Sequence, residues 1–135
     1  MDGKETVMRF SVYYHSTESG DYLRRVVYES GLGRLEQFHE LSDLASETGA
    51  DVVLVEYEAG NPHLDRWIAR TTGSPQSPEV FLFLKEASAQ VIWKALSLGA
   101  RQCFAAPIHA EDFQTAVSRA GARNWIPRRE MAACH

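Results

Sequence analysis

Cysteine is scarce in this chain of 135 residues, with only Cys103 and Cys134 present. Two cysteines do not predict a disulfide framework, and they fit a reducing compartment. The polar N-terminal residues lack the apolar stretch of a signal peptide, and no apolar run approaches the roughly 20 residues needed to cross a bilayer. These absences predict a cytoplasmic protein with no disulfide and no membrane span.

An excess of basic residues is also missing, because 14 Lys and Arg stand against 18 Asp and Glu for a net charge of −4. Direct binding of nucleic acid is therefore not expected. The hydrophobic share of 44% and the charged share of 24% are ordinary for a globular protein. A length of 135 residues suits one domain with one core.

The stretch Asp51 to Tyr57 organises the chain. Four apolar residues, three of them valine, lie between two carboxylates. Such a short β-branched run predicts a strand covered on both faces, as in parallel sheets packed between helices. Binding and reaction sites in such sheets lie at the carboxyl ends of the strands. Glu56 lies at that end and is the first candidate site residue.

Five segments have the apolar, β-branched composition of strands: Val7–Tyr14, Arg34–Phe38, Asp51–Tyr57, Val80–Leu84 and Cys103–Ala105. The second is short and polar enough to be an edge strand. Strands that alternate with helices at short spacing predict right-handed βαβ units. We therefore expect a three-layer α/β/α sandwich with a five-stranded parallel sheet of order 2-1-3-4-5, the flavodoxin type.

Helices are predicted from caps and periodicity. The first helix follows a polar turn at His15–Gly20 and is capped by Ser19 or Gly20. The other four are predicted at Ser42–Thr48, after Asn61-Pro62, after Ser88, and at His109–Ala120. The helix after Ser88 has a wide apolar stripe of Val91, Ile92, Ala95, Leu96 and Leu98. The predicted domain spans residues 1–122, and residues 123–135 have no periodicity and are predicted to be a tail or linker.

The segment Ala50–Glu56 resembles the third strand of bacterial response-regulator receiver (CheY-like) domains. The stretch Ala95–Ala100 resembles the end of that family's fourth helix, and Cys103–Ile108 resembles its fifth strand, which closes in Lys-Pro in the family. The resemblance covers about residues 7–120. It implies that Glu56 stands where the family has its phosphorylated aspartate, and it implies a cis bond between Ala106 and Pro107.

The resemblance also identifies positions where the family's phosphotransfer groups are missing. Tyr14 and His15 occupy the positions of the acid pair, Leu84 that of the hydroxyl, and Ala106 that of the lysine, so only Pro107 remains. Mg²⁺ prefers several oxygen ligands in octahedral geometry, and a longer glutamate misplaces the accepting oxygen. We expect a degenerate receiver that works without phosphorylation, cofactor or metal, and without enzyme activity.

The chemistry of Glu56 has more than one interpretation at this point. It could mimic the phosphorylated acceptor, or it could be a solvated carboxylate at a dead site. His15 and Glu56 could form a metal-binding or pH-sensitive pair, although two ligands do not make a metal site. A receiver that still works with unconventional ligands is a further possibility.

Trp93 falls roughly 200° from Val91 at ~100° per helical residue, which places it off the buried stripe. Exposed aromatic residues are enriched at interfaces, although Trp93 could also pack over its own neighbours. In receivers the fourth helix, fifth strand and fifth helix form the usual contact face. The predicted surface for a protein partner or a second copy comprises Trp93, Lys94, Cys103, Gln114 and Arg119.

Two further hypotheses, a more specific version of the receiver hypothesis and an alternative to it, concern the role of the whole chain. The Gly-Ala-Arg-Gln-Cys-Phe stretch followed by a proline without the lysine is similar to receiver-like N-terminal domains of ATPases in tight-adherence pilus assembly. The alternative is a flavodoxin-like domain that binds a nucleotide or flavin through the hydroxyl-rich loop His15–Gly20.

Overall fold

Parallel strands form a single sheet in the computed structural model, which describes residues 8–44, 49–73 and 77–120. The strand order is β2-β1-β3-β4-β5, and every neighbouring pair is parallel. The strands are β1 Met8–Tyr14, β2 Gly33–Glu40, β3 Val52–Tyr57, β4 Glu79–Leu84 and β5 Gln102–Ala105. The predicted five-stranded sheet of order 2-1-3-4-5 is confirmed.

Four α-helices are present in the described ranges: α1 Thr17–Ser30, α2 Pro62–Thr71, α3 Ala89–Ser97 and α4 at residues 110–120. They cover both faces of the sheet because each strand buries side chains on alternate sides. One buried cluster joins Tyr13, Trp67 and Ala95 under α2 and α3. The other joins Leu23 and Phe113 under α1 and α4. The two clusters lie on opposite faces of the sheet, so the predicted three-layer α/β/α sandwich is confirmed.

Helix α1 begins earlier than the sequence predicted. The Ser16 hydroxyl accepts a hydrogen bond from the Ser19 backbone N–H at 3.2 Å, so Ser16 is the cap and the helix starts at Thr17. The predicted polar turn over His15–Gly20, with a cap at Ser19 or Gly20, is therefore wrong. Ser16, the first serine of this stretch, provides the acceptor for an N–H group that has no partner in the first helical turn. Ser19 and Gly20 therefore lie within the helix.

The caps of α2 and α3 are confirmed. Asn61 caps α2 through a hydrogen bond from the Leu64 N–H at 3.2 Å, with Pro62 at the first helical position. Ser88 caps α3 in the same manner, accepting from the Val91 N–H at 3.2 Å. Both helices therefore begin where side-chain oxygens replace the missing backbone acceptors.

The region between β2 and β3 departs from the prediction. Strand β2 is an edge strand as expected, but it is eight residues long and continues to Glu40. A short 3₁₀ turn at Leu41–Asp43 follows, where the sequence predicted a helix over Ser42–Thr48. Residues 45–48 of that predicted helix lie outside the described residues.

The wide apolar stripe predicted for α3 is narrower in the structure. Ala95 is fully buried, and Val91, Ile92 and Leu98 are half-buried against the core. Leu96 is 44% exposed, so its assignment to the buried face is wrong. Leu96 lies about 100° from Ala95 around the helix, on a flank that the core does not reach.

Two further predictions concern the ends of the chain and membranes. The predicted domain boundary at residue 122 and the predicted tail at 123–135 lie outside the described residues. Among the helices that the structure describes, none has the length and apolar character needed to cross a membrane.

Candidate functional site

Glu56 lies near the carboxyl end of β3 and is 2% exposed. Its Oε1 accepts hydrogen bonds from the backbone N–H of His15 at 2.7 Å and of Ser16 at 3.0 Å. These two N–H groups belong to the loop that leads into α1, where the helix dipole favours a negative charge. The interpretation of Glu56 as a solvated carboxylate is therefore wrong, since the side chain is buried and holds the β1–α1 loop.

His15 is next to Glu56 in space, but its imidazole pairs with a different carboxylate. The Nε2 atom lies 3.5 Å from Glu58 Oε2, and both side chains are partly exposed. Glu58 Oε1 accepts from Asn61 Nδ2 at 3.0 Å, and Asn61 caps α2. Glu56 near the end of β3 and Glu58 just after it thus both hold His15, the first through its backbone and the second through its side chain, and Glu58 also joins it to the start of α2.

The predicted pair of His15 and Glu56 lacks the further ligands that a metal ion needs. Within residues 8–44, 49–73 and 77–120, no group of three or more His, Cys, Asp or Glu side chains is arranged to hold a metal. The groups that are hydrogen-bonded to the buried carboxylate oxygen are N–H donors. Such donors stabilise an anion and disfavour a cation.

Tyr14, at a predicted acid position, is a packing residue. Its ring centroid lies 4.7 Å from that of Phe38 on β2. Its ring also faces Gly20, where an added Cβ would lie 2.7 Å from Tyr14 Cγ. A side chain at position 20 would displace the ring, so Gly20 permits the close contact between β1 and α1.

Leu84 and Ala106, at the predicted hydroxyl and lysine positions, offer no hydrogen-bond donor from their side chains. Leu84 is 2% exposed in the core, while Ala106 and Pro107 are exposed in the loop after β5. The Ala106–Pro107 peptide bond is cis, as the resemblance implied.

Two aromatic residues that the sequence analysis missed connect this end of the sheet to α1. Phe83 pairs with Glu56 across β3 and β4 and is 6% exposed. The Phe83 and Tyr22 ring centroids are 5.6 Å apart. The Tyr22 hydroxyl accepts a hydrogen bond from the Ile108 N–H at 2.6 Å, directly after the cis bond. A half-buried tyrosine needs a hydrogen-bond partner, but no sequence pattern links position 22 to position 108.

The hydroxyl-rich loop does not have the features of a phosphate cradle. The amides of His15 and Ser16 are already bonded to Glu56, and the Ser16 hydroxyl caps α1. An incoming phosphate would compete with a buried carboxylate for the same donors, and the two anions would repel each other. The arrangement is chemically suited to holding a loop in place.

The predicted contact residues are distributed over several surfaces. Trp93 is 74% exposed, so it does not pack down over its own neighbours. Lys94 is directed toward α2, where its Nζ lies 3.4 Å from Asp65 Oδ2. Leu96, two residues further on, lies about 160° from Lys94 around α3. We call Trp93 and Leu96, with the half-buried Ile92 beside them, the Trp93 surface.

The remaining predicted contact residues are Cys103 on β5 and Gln114 and Arg119 on α4. Cys103 packs against the core, and burial raises the pKa of its thiol above the ordinary value of 9.0. The Gln114 side-chain amide donates to the Ser30 carbonyl at 3.4 Å, which directs it toward α1. Arg119 is exposed and lies about 140° from Gln114 around α4. Gln114 and Arg119 nevertheless line the same open depression on the surface of α4.

Comparison with known proteins gives structural matches without sequence matches. No protein-family model matches the chain, and no curated protein matches it. A protein described as pilus assembly-related from Burkholderia pseudomallei superposes with a TM-score of 0.71 at 16% identity, covering 91% of this chain and 95% of that one. A pilus assembly protein of Burkholderia thailandensis matches with a TM-score of 0.70 at 18% identity, covering 86% and 99%.

Receiver domains of response regulators are similar as well. The chemotaxis response regulator CheY4 of Vibrio cholerae superposes with a TM-score of 0.63 at 13% identity, covering 85% of this chain and 99% of that one. At these identities the likeness concerns the fold. The chain has the fold of CheY-like receiver domains, as the sequence resemblance predicted.

Proposed function

We propose that this chain, which has the CheY-like receiver fold, is an atypical receiver domain of bacterial signal transduction that acts without phosphorylation. The observation that carries the proposal is the buried Glu56 carboxylate, which accepts two backbone hydrogen bonds from the β1–α1 loop. A carboxylate held in this way is turned from solvent and from any phosphodonor. Leu84 and Ala106, at the predicted hydroxyl and lysine positions, have no side-chain donor that could bind phosphoryl oxygens.

The proposed mode of action is contact with a protein partner or with a second copy. The Trp93 surface supports it, because an exposed tryptophan next to an exposed leucine is typical of the apolar centre of an interface. Arg119 on the outer flank of α4 is proposed to belong to the polar rim of this contact. The domain is proposed to be a cytoplasmic binding module without enzyme activity.

The cellular setting that we propose is the assembly of pili. Two structural neighbours are described as pilus assembly proteins, and both have TM-scores of at least 0.70. A role as the receiver-like domain of such a system agrees with the degenerate acceptor position. Replacement of Trp93 by Ala in the encoding bacterium, followed by counting of surface pili, is expected to lower pilus number if the Trp93 surface serves this assembly.

Phosphorylation independence is tested by incubating the chain with Mg²⁺ and acetyl phosphate and then recording the intact mass. A phosphorylatable receiver domain in the same tube is the positive control. We expect the control to gain one phosphoryl group and this chain to keep its mass. A matching mass gain on this chain that disappears in Glu56→Gln would overturn the proposal.

A second test of phosphorylation independence uses amide NMR spectra recorded during titration with Mg²⁺ and then beryllofluoride. We expect no shifts at Tyr14, Glu56 or Leu84, because the carboxylate already has its hydrogen-bond partners. Saturable shifts centred on these residues would mean that the β1–α1 loop releases Glu56 to a metal, and the domain would then be a working receiver.

A further inference from the structure

Helix α3, which carries the Trp93 surface, is held by few buried side chains. Only Ala95 is fully buried on α3, whereas α1 buries four residues and α2 buries three. Large apolar side chains are fully buried on α1 (Leu23 and Val27) and on α2 (Leu64, Trp67 and Ile68), whereas the buried residue of α3 is an alanine, which removes less apolar area from water. Polar contacts therefore determine the position of α3 more than that of its neighbours.

Asp65 provides one of these contacts and joins three elements at once. It lies in the first turn of α2, where the helix dipole favours an ionised carboxylate. Its Oδ1 accepts a hydrogen bond from the Tyr57 hydroxyl at 2.8 Å, and its Oδ2 lies 3.4 Å from Lys94 Nζ. The Asp65 side chain is only 16% exposed and that of Lys94 is 59% exposed, so this contact is shielded from water on the Asp65 side alone.

We call these contacts the Tyr57–Asp65–Lys94 bridge, and its two ends lie on different elements of the fold. Tyr57 follows Glu56 directly and is the last residue of β3. Lys94 is adjacent to Trp93 on α3. The bridge thus connects the strand end beside the buried carboxylate to the helix that exposes the aromatic surface.

A second polar contact fixes the C-terminal end of α3. The Thr72 hydroxyl lies 2.8 Å from the Ile68 carbonyl and 3.1 Å from the Leu98 carbonyl, and it can donate to one of them at a time. Gly99 follows with φ of 110° and sits against Thr72. The C-terminal end of α3 is therefore anchored at Thr72, and the Tyr57–Asp65–Lys94 bridge holds the middle of the helix.

We propose that the Tyr57–Asp65–Lys94 bridge is a conformational device that couples the end of β3 to the orientation of α3. Asp65 is its positioning residue. While the bridge is closed, α3 is held against α2 and the Trp93 surface keeps one arrangement. When the strand end moves Tyr57, or Lys94 is drawn away by a partner, α3 is released to pivot about its anchor at Thr72. The inference rests on the proposed function only for the use of the Trp93 surface.

Hydrogen–deuterium exchange of the 135-residue chain tests the bridge without any partner. Lys94→Met removes an exposed charge and keeps most of the side-chain stem, and Asp65→Asn removes the charge but keeps an oxygen for Tyr57. We expect exchange of residues 89–98 to become about two- to fivefold faster in each variant, in line with the strength of a partly shielded ion pair. The double variant is expected to exchange no faster than the faster single variant.

The matched control is Arg24→Met, which removes an exposed ion pair to Asp21 on α1 with an N–O distance of 3.1 Å. Exchange in α3 should be unchanged by it. Equal exchange of α3 in Lys94→Met, in the control and in the unaltered chain would overturn the inference. Lys94→Met alters only a solvent-exposed group, so this comparison remains decisive if an Asp65 variant fails to fold.

Tyr57→Phe tests the coupling from the strand end, because it removes the hydroxyl and leaves the ion pair between Asp65 and Lys94. We expect faster exchange in α3 as well as at the end of β3. A change confined to β3 would refute the coupling. Loss of partner binding by Trp93→Ala is a separate measurement, so failure of the interaction proposal and failure of the bridge are distinguishable.

Discussion

The Glu56 carboxylate and the His15 backbone N–H form a hydrogen bond of 2.7 Å across 41 positions of sequence. The same oxygen accepts from the Ser16 N–H at 3.0 Å. A side chain at the end of the central strand therefore fixes the loop after the first strand. A carboxylate in this position supplies, from within the chain, the negative charge that the start of α1 favours.

This relationship changes the meaning of the resemblance to receiver domains. An acidic residue at the acceptor position suggests a mimic of the phosphorylated state when only the sequence is known. In the structure the charge is directed at backbone amides and is buried. Glu56 is therefore best understood as a structural anchor of the β1–α1 loop, and the contact with partners is what we propose for the Trp93 surface.

The first prediction concerns the stability that Glu56 provides. Glu56→Ala leaves the His15 and Ser16 amides without their acceptor and opens a space in a buried region, so we expect a loss of about 2–4 kcal/mol in the free energy of unfolding. Glu56→Gln keeps an acceptor oxygen but loses its charge, for an expected loss of about 1 kcal/mol. Urea denaturation followed by circular dichroism measures both.

The control for these variants is Glu36→Ala, at an exposed position on β2 where the side chain pairs only with Arg34 among its described contacts. Its cost should stay under about 0.5 kcal/mol. If Glu56→Ala costs no more than this control, the carboxylate does not anchor the loop and the structural interpretation of the site fails.

The elements that the sequence predicted well are those whose signals are local. The apolar runs of β3 and β4 identified two doubly covered strands, and the caps at Asn61 and Ser88 located two helix starts. The burial of Glu56 could not be predicted, because its partners are backbone N–H groups about 40 positions away and every non-proline residue has one. The contact of Asp65 with Lys94 was missed for a similar reason, since it depends on the packing of two helices.

The second prediction separates the two tryptophans by their surroundings. Trp93→Ala removes an exposed side chain and should change the free energy of unfolding by less than about 0.5 kcal/mol, while weakening self-association or partner binding. Trp67→Ala removes a side chain that is 1% exposed and should cost about 3–5 kcal/mol. Urea denaturation and sedimentation velocity measure the two properties.

Tyr28, which is 83% exposed on α1, provides the matched control for association. Tyr28→Ala also removes an exposed aromatic ring, but from a different helix. If Trp93→Ala and Tyr28→Ala leave association and partner affinity equally unchanged, the Trp93 surface is not the contact face.

The third prediction is a dependence of stability on alkaline pH. Burial raises the pKa of Tyr57 far above its ordinary value of 10.0, and the hydrogen bond to Asp65 raises it further. The folded chain therefore keeps the phenol proton where the unfolded chain loses it. The free energy of unfolding is unaffected by this group below about pH 9, and it falls as the pH rises past 10 because ionisation stabilises the unfolded chain.

Tyr57→Phe removes this dependence. At neutral pH the variant should lose about 1 kcal/mol, because Asp65 gives up a hydrogen bond. Between pH 9 and 11 the unaltered chain should lose about 1.4 kcal/mol relative to the variant, which corresponds to one pH unit above the unfolded pKa of a single group. Its advantage at neutral pH is then cancelled, and the variant becomes slightly the more stable of the two. Urea denaturation at both pH values measures it, and a constant difference would show that Tyr57 ionises normally in the folded chain.

The last prediction concerns the two glycines that end α1 and α3. Both have positive φ, 69° at Gly31 and 110° at Gly99, so an alanine at either position is strained. A Cβ at Gly31 would meet open space, whereas a Cβ at Gly99 would collide with the Thr72 hydroxyl. We expect Gly31→Ala to cost about 1 kcal/mol, from backbone strain alone. Gly99→Ala should cost about 2–4 kcal/mol, because α3 must also move away from Thr72.

Thr72→Ala separates the collision from the strain at Gly99. By itself it should cost about 1 kcal/mol, through loss of the hydroxyl that lies 3.1 Å from the Leu98 carbonyl. In combination with Gly99→Ala it also removes the atom that collides, so the double variant should cost less than the sum of the two single variants. Additive costs in urea denaturation would contradict the contact between Thr72 and Gly99. In that case the C-terminal end of α3 would not be anchored there, and the pivot proposed for the helix would lose its fixed point.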